Sequence, residues 1–241
     1  METIPVTLNK SSDAFLKDIQ DAFGKSLISV IMYGPAVRGE SAKTPYINFL
    51  VTVKDSTPSE LAHCSKYLKS WYKKLIAVPL FITPDYVTKS LDTFPLEFME
   101  MASSHALVYG EDVLDGLKYS DSDIRNECER EIKGKLLHLR SEYLSLRGNT
   151  KGLIDLVQRS LNTFRLLFAG ALYLKKCDIP AETSGLLDAV AGEYELDLGL
   201  FKKLIAISKG ELKISDDEAD TLFDLYVEEL DKLSEEIDFM S

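Results

Sequence analysis

Tyr33-Gly34-Pro35-Ala36-Val37-Arg38-Gly39-Glu40, followed after five intervening residues by Tyr46-Ile47-Asn48-Phe49-Leu50-Val51, decides the fold. Leu27 to Tyr33 is a short run rich in β-branched and other apolar residues, and Tyr46 to Val53 is a second. Glycine and proline punctuate the segment between them, so the stretch reads as strand, turn and strand. Gly34 lets the backbone come close to a ligand. Arg38 carries a forked guanidinium suited to phosphate. Side chains two apart on a strand share a face, so Tyr46 and Asn48 point the same way.

Working outward, the first half alternates helix and strand. Ser11 or Ser12 is placed to cap a helix bearing Phe15, Ile19 and Phe23 on one face, with Gly24 as its end. Thr57-Pro58-Ser59-Glu60 reads as a helix start with a capping box. That helix continues through Leu61, Cys64, Leu68, Trp71 and Leu75 at three- and four-residue spacing. Val78 to Thr83 reads as a third strand, and Thr83-Pro84 opens a short helix. Leu96 to Met101 and Ala106 to Tyr109 read as further strands, with Gly110 after the second.

From Ser120 the pattern changes to long helices. Ile124, Cys128, Ile132, Leu136 and Tyr143 form a stripe that ends at Gly148-Asn149. The next helix, about Lys151 to Lys176, is apolar nearly all round between Leu161 and Leu174, which fits the centre of a bundle. Pro180 stops it. Shorter helices follow near Ser184 to Ala191 and Leu198 to Ser208. Ser215-Asp216-Asp217-Glu218 caps the last, which runs to about Ile237. The expectation is an α+β chain: a mixed sheet with flanking helices over residues 1–117, then an antiparallel helical bundle over 118–241, with the boundary near Gly116 to Ser122.

A chain of 241 residues is long enough for two such domains. It has no apolar run of about eighteen residues that would span a bilayer. Met1 to Lys10 has neither a basic start nor an apolar core, which reads as no signal peptide and a cytoplasmic protein. Cys64, Cys128 and Cys177 stand far apart, outside any zinc spacing, and read as reduced thiols. The net charge of −11 argues against general affinity for nucleic acid. Glu211 to Ser241 holds twelve acids against Lys213 and Lys232, so this tail carries −10 of that charge. It is either a solvated helix face or an acidic docking surface for a basic protein partner.

The opening stretch resembles the signature of the nucleotidyltransferase superfamily that includes DNA polymerase beta and kanamycin nucleotidyltransferase. That signature is Gly-Ser, a short loop with Arg-Gly, then Asp-x-Asp entering a hydrophobic strand. Phe94 to Phe98 and Val108 to Asp112 add a resemblance to bacterial nucleotidyltransferase-domain proteins, and the likeness covers roughly residues 25–115. It implies an α/β half followed by a helical domain. It also implies a Gly-rich turn whose amides and serine hold a triphosphate. Two aspartates, with a third carboxylate on a neighbouring strand, would hold two magnesium ions.

Here the frame is present and its chemistry is changed. Gly34, Arg38 and Gly39 match, but Pro35 replaces the serine and lacks both hydroxyl and N–H. Tyr46 and Asn48 occupy the aspartate positions. Neither side chain is charged near neutrality, and magnesium favours carboxylates with substrate phosphate. Tyr46 either fills the cleft or stacks on a base. Arg38 either meets phosphate or pairs with Glu40 or the last acidic helix. Glu97 and Glu100 are the relic carboxylate candidates; as strand residues three apart they would face opposite ways, and Asp55 follows the second strand. His105 is a lone histidine beside a turn, and the Arg130–His138 spacing does not match the ribonuclease pattern of related helical toxins. Arg165, the one cation in a strongly apolar stretch, either holds a phosphate between domains or marks an exposed rim, the second being the simpler.

Three functions follow. The first is a non-catalytic, regulatory protein that binds a nucleotide, small molecule or protein through Gly34, Arg38, Gly39, Tyr46, Asn48 and Arg165, without a bound metal. The second is an active enzyme that transfers a nucleoside monophosphate, with magnesium in a rearranged site. The third is an antitoxin-like or structural interaction module. The oligomeric state stays open, and no membrane is implied.

Overall fold

The computed structural model describes residues 6–39, 46–180 and 182–240, with backbone alone for residues 6–9, 162, 183 and 184. The chain forms two compact units, Met1–Lys118 and Tyr119–Ser241. In the first, α1 (Val6–Phe23) leads through a 3-10 turn into β1 (Leu27–Tyr33). Then come β2 (Asn48–Val53), α2 (Pro58–Leu61), a 3-10 stretch (Ala62–Tyr67), α3 (Leu68–Lys73) and β3 (Leu80–Ile82). The unit finishes with α4 (Pro84–Ser90), α5 (Pro95–Ser103) and β4 (His105–Gly110). The sheet order is β3-β2-β1-β4; β1 is antiparallel to β2 and to β4, and β2 is parallel to β3.

β1 and β2 read as nearly unbroken apolar runs because both faces are buried. Val30, Met32, Phe49, Val51 and Val53 pack with Phe15, Ile19 and Phe23 of α1. Phe15 stacks on Phe49 with ring centres 4.1 Å apart and meets Trp71 at 5.0 Å. Each such burial contributes roughly 1.5–3 kcal/mol. Ile31 and Leu50, on the opposite face by alternation, are also buried, and so are Ser29 and Thr52, which face each other across the pair.

Several elements differ from the sequence reading. α1 starts at Val6, so Ser11 and Ser12 lie inside it, and Ser12 is buried with its hydroxyl 3.8 Å from the Met32 sulfur. The helix expected from Thr57 to Leu75 breaks into α2, a 3-10 stretch and α3. Its middle holds His63 and Ser65, weak helix formers, and the Ser65 hydroxyl donates to the Ala62 carbonyl at 2.7 Å. Cys64 and Trp71 are core, as the stripe requires, but Leu68 and Leu75 are exposed. Leu96 to Met101 is helical, as part of α5. Pro95 starts it, and Leu, Glu and Met are straight-chain helix formers; a six-residue apolar run does not separate the two states by period.

The second unit contains α6 (Asp121–Leu146), α7 (Thr150–Thr163), α8 (Arg165–Leu174), α9 (Thr183–Glu193), α10 (Leu198–Ser208) and α11 (Asp216–Asp238). Ile124, Cys128, Ile132 and Leu136 are buried along α6, and Tyr143 stacks on Phe223 of α11 at 5.0 Å. The single helix expected over 151–176 is two, broken at Phe164. There the Phe164 N–H is shared between the Ser160 and Leu161 carbonyls, while the Thr163 hydroxyl also takes the Ser160 carbonyl. Ser215 and Glu218 close a capping box on α11. Many α11 acids face their own bundle: Asp231 meets Arg140 at 2.5 Å, Asp238 meets Lys133 at 3.4 Å, and Glu229 accepts the Asp197 N–H at 2.8 Å. No helix among the described residues is long and apolar enough to cross a membrane.

Two predictions follow from packing. Gly110 has φ +79°, and a Cβ there would sit 1.9 Å from the Ile28 carbonyl oxygen; at Gly116, with φ +68°, nothing lies within 4 Å. Gly116→Ala should cost about 1–2 kcal/mol, the left-handed penalty alone. Gly110→Ala should cost more than about 4 kcal/mol, because backbone must move; urea unfolding of both variants measures the difference. Burial pushes the Cys64 thiol up to about 11 and the Cys128 thiol up to about 12. The Cys177 thiol is also raised, chiefly by desolvation, but it alone of the three is partly exposed. Alkylation of the folded protein at alkaline pH should therefore modify Cys177 alone, and peptide mass mapping reads this out.

Candidate functional site

The Gly34 turn is built by the end of β1. Tyr33 pairs with Asn48 on one side and with His105 on the other, so the chain leaves the sheet between two strands. Gly34 does this with φ +82°, a conformation that favours glycine. A Cβ there would meet the Asn48 amide nitrogen at 3.3 Å, so Asn48 lies directly against the turn. The Gly34 N–H donates to the Ser104 carbonyl at 3.2 Å. The Gly34 carbonyl accepts the Val37 and Arg38 N–H groups at 3.0 and 3.4 Å. Pro35 has no N–H to offer. Two amides of the loop are thus taken by the Gly34 carbonyl and a third by Ser104.

Arg38 is also engaged. Its Nη1 donates to Glu100 Oε1 at 2.7 Å, and the two side chains are only 4% and 15% exposed. Glu40, the partner expected from sequence, lies outside the described residues. Because α5 is a helix, Glu97 and Glu100 are three apart on neighbouring positions of one side rather than on opposite faces. Glu100 ties the Gly34 loop to α5. Glu97 keeps a buried Oε2 without a hydrogen bond among the described residues. Gly39 has φ +74° in open space.

Tyr46 does not sit over the turn. Its ring lies 6.2 Å from that of Tyr72 on α3. Its phenol is held above the usual tyrosine range, chiefly by hydrogen bonding to Tyr72. Ile47 bonds to Leu75 and Ala77 on either side, which directs this segment toward α3. Asn48 and Tyr46 therefore serve different neighbourhoods. His105 is not alone, as it looked in sequence. Nε2 lies 2.9 Å from Asp112 Oδ2 and Nδ1 lies 2.9 Å from the Ala102 carbonyl. With both nitrogens engaged, the ring braces the α5–β4 corner and leaves none for a substrate. The contact joins the first residue of β4 to a residue just beyond its end, which no periodic pattern in the sequence reports.

A magnesium pair does not fit these donors. β1 and β3, the strands beside β2, contain no carboxylate, and Tyr46 and Asn48 bring none. Among the described residues no three His, Cys, Asp or Glu side chains gather as a metal site requires. Arg165 belongs to the second unit, where it begins α8 and is buried, not on an exposed rim. The features that come together are Gly34, Asn48, Arg38 and Glu100.

No protein-family model matches the chain, and no curated protein matches it in sequence. In structure it is similar to a spectinomycin adenyltransferase from Enterococcus faecialis, solved with ATP and spectinomycin. The two share 13% identity, over 93% of this chain and 98% of that one, with a TM-score of 0.54. At that identity the likeness is one of fold. The chain has a nucleotidyltransferase-like α+β fold, a mixed sheet with flanking helices and a helical C-terminal region.

The Arg38–Glu100 pair can be tested by a double-mutant cycle. Arg38→Ala should cost about 3–5 kcal/mol, because it leaves a carboxylate buried beside the loop. The joint Arg38→Met/Glu100→Leu variant should recover most of that loss. Denaturant unfolding of Arg38→Met, Glu100→Leu and the double variant gives the coupling energy.

Proposed function

We propose that this chain is a non-catalytic, regulatory binding protein that keeps a nucleotidyltransferase-like fold as a scaffold. The observation that carries this reading is the donor set: Tyr46 and Asn48 stand where two aspartates would be needed, and neither neighbouring strand supplies an acid. Two-metal transfer requires anionic oxygens to hold the ions that activate the attacking group and neutralise the leaving pyrophosphate. A phenol and an amide do not supply that charge. The turn's own hydrogen bonds and the Arg38–Glu100 pair support the same reading, since both use groups that would otherwise meet phosphate.

Nucleotide binding without transfer is a second reading. It is favoured by the similarity in fold, over most of both chains, to an enzyme crystallised with ATP. In this case Arg38 would exchange Glu100 for a phosphate, and Asn48 would lie at the lip of the site.

Thermal unfolding with each of the four nucleoside triphosphates, with and without magnesium, separates these readings from catalysis. A ligand at about a hundred times its dissociation constant adds roughly 2.7 kcal/mol, which raises the midpoint of a protein this size by several degrees. The expected result is no magnesium-dependent shift and no pyrophosphate release. A magnesium-independent shift lost in Arg38→Ala would establish the second reading. Magnesium-dependent turnover abolished by Glu97→Gln would overturn both.

A further inference from the structure

The chain's one tryptophan, Trp71, helps form a recess of about 220 Å³ with Tyr46, Leu68, Tyr72, Ile76 and Val78. The surface around it is apolar: Tyr72 and Val78 are 67% and 73% exposed, and Leu68, Leu75 and Leu80 are exposed beside them. Large exposed apolar groups so close together mark interaction sites. The same stretch is basic. Lys66 to Leu80 contains four lysines and no acid, in a chain whose net charge is −11. Lys66 is held by Asp21 at 2.8 Å; Lys69, Lys73 and Lys74 are exposed and make no ion pair among the described residues.

The backbone adds an independent sign. Leu75 has φ 56°, the left-handed conformation. Its N–H reaches the Tyr72 carbonyl at 3.1 Å, and the Ile76 N–H reaches the Trp71 carbonyl at 2.9 Å. This is the helix-ending arrangement in which glycine is the usual occupant. A leucine there costs conformational energy, and its side chain, 46% exposed, recovers little of that by burial within this molecule. The strain is offset if the side chain is buried by something else.

We infer that this face docks an acidic protein segment, which inserts one large apolar side chain into the recess while its carboxylates meet Lys69, Lys73 and Lys74. The chemistry disfavours other occupants. A second copy using the same face would set lysines against lysines. A bilayer calls for apolar groups that protrude into it, whereas this recess has room for a single side chain. A nucleobase would leave its polar edge unpaired, because the walls of the recess are mainly apolar.

The test uses the full chain and a library of acidic peptides of about twelve residues, each with one Leu, Phe or Met among Asp and Glu. Trp71 emission reports the filling of the recess. Some acidic peptides should bind saturably, and their lysine-substituted counterparts should not. Raising salt from about 50 to about 500 mM should weaken binding on the order of tenfold or more. Lys69→Glu/Lys73→Glu should abolish it. Leu75→Gly is the diagnostic variant: it should raise the unfolding midpoint by relieving strain and still weaken binding. The inference is overturned if no acidic peptide binds, or if binding ignores salt and the lysine changes. It is equally overturned if phosphatidylserine vesicles or oligouridylate occupy the face in place of every peptide. Self-association in sedimentation that Lys69→Glu/Lys73→Glu dissolves would overturn it in favour of a second copy.

Discussion

β1 is hydrogen-bonded along both edges and buried on both faces, and the first unit is organised around that strand. β2 and β4 fix its direction, while Phe15 and its neighbours on α1 fix one of its faces. A strand so confined can leave the sheet only by a sharp turn at its end. Gly34 makes that turn in a conformation a side chain would strain. Its N–H then finds the Ser104 carbonyl, which ties the turn to the corner between α5 and β4. The Arg38–Glu100 pair and the His105–Asp112 contact brace the same corner. The result is a loop with several of its polar groups bonded within the first unit.

The changes at the two metal positions are consistent with that use. Asn48 fits against Gly34 without bringing charge into a tight turn, and Tyr46 swings to Tyr72 and the recess beside α3. A pair of carboxylates in their place would repel each other unless cations were bound between them. Neutral side chains remove that requirement. Exposed binding chemistry is then found elsewhere, on the lysines and apolar groups of α3 and the chain after it. α11, by contrast, spends several of its acids on Arg140, Lys133 and backbone of its own bundle, which lowers the charge left to attract a partner.

Much of the fold was legible along the chain. The Gly24 and Gly34 turns and the Thr83 and Ser215 caps rest on contacts within a few residues, and the β1 range and the α6 stripe show in the local apolar pattern. What failed to read correctly was decided by competition between similar local energies. Leu96 to Met101 was too short for its period to separate helix from strand. The breaks at Ala62 and Phe164 depend on side-chain hydroxyls taking main-chain carbonyls, which residue type permits but does not dictate.

The site divides along the same line. The sequence by itself determined the chemistry at positions 35, 46 and 48, a proline, a phenol and an amide, because residue identity is independent of folding. Only the tertiary structure decided what the remaining groups do. Arg38 meets Glu100 across sixty-two residues, and Tyr46 meets Tyr72 across a strand, a helix and their connections. His105, at the start of β4, meets Asp112 beyond its end. Contacts of that range follow from how the sheet and helices pack, and packing is a property of the whole unit that no local spacing records.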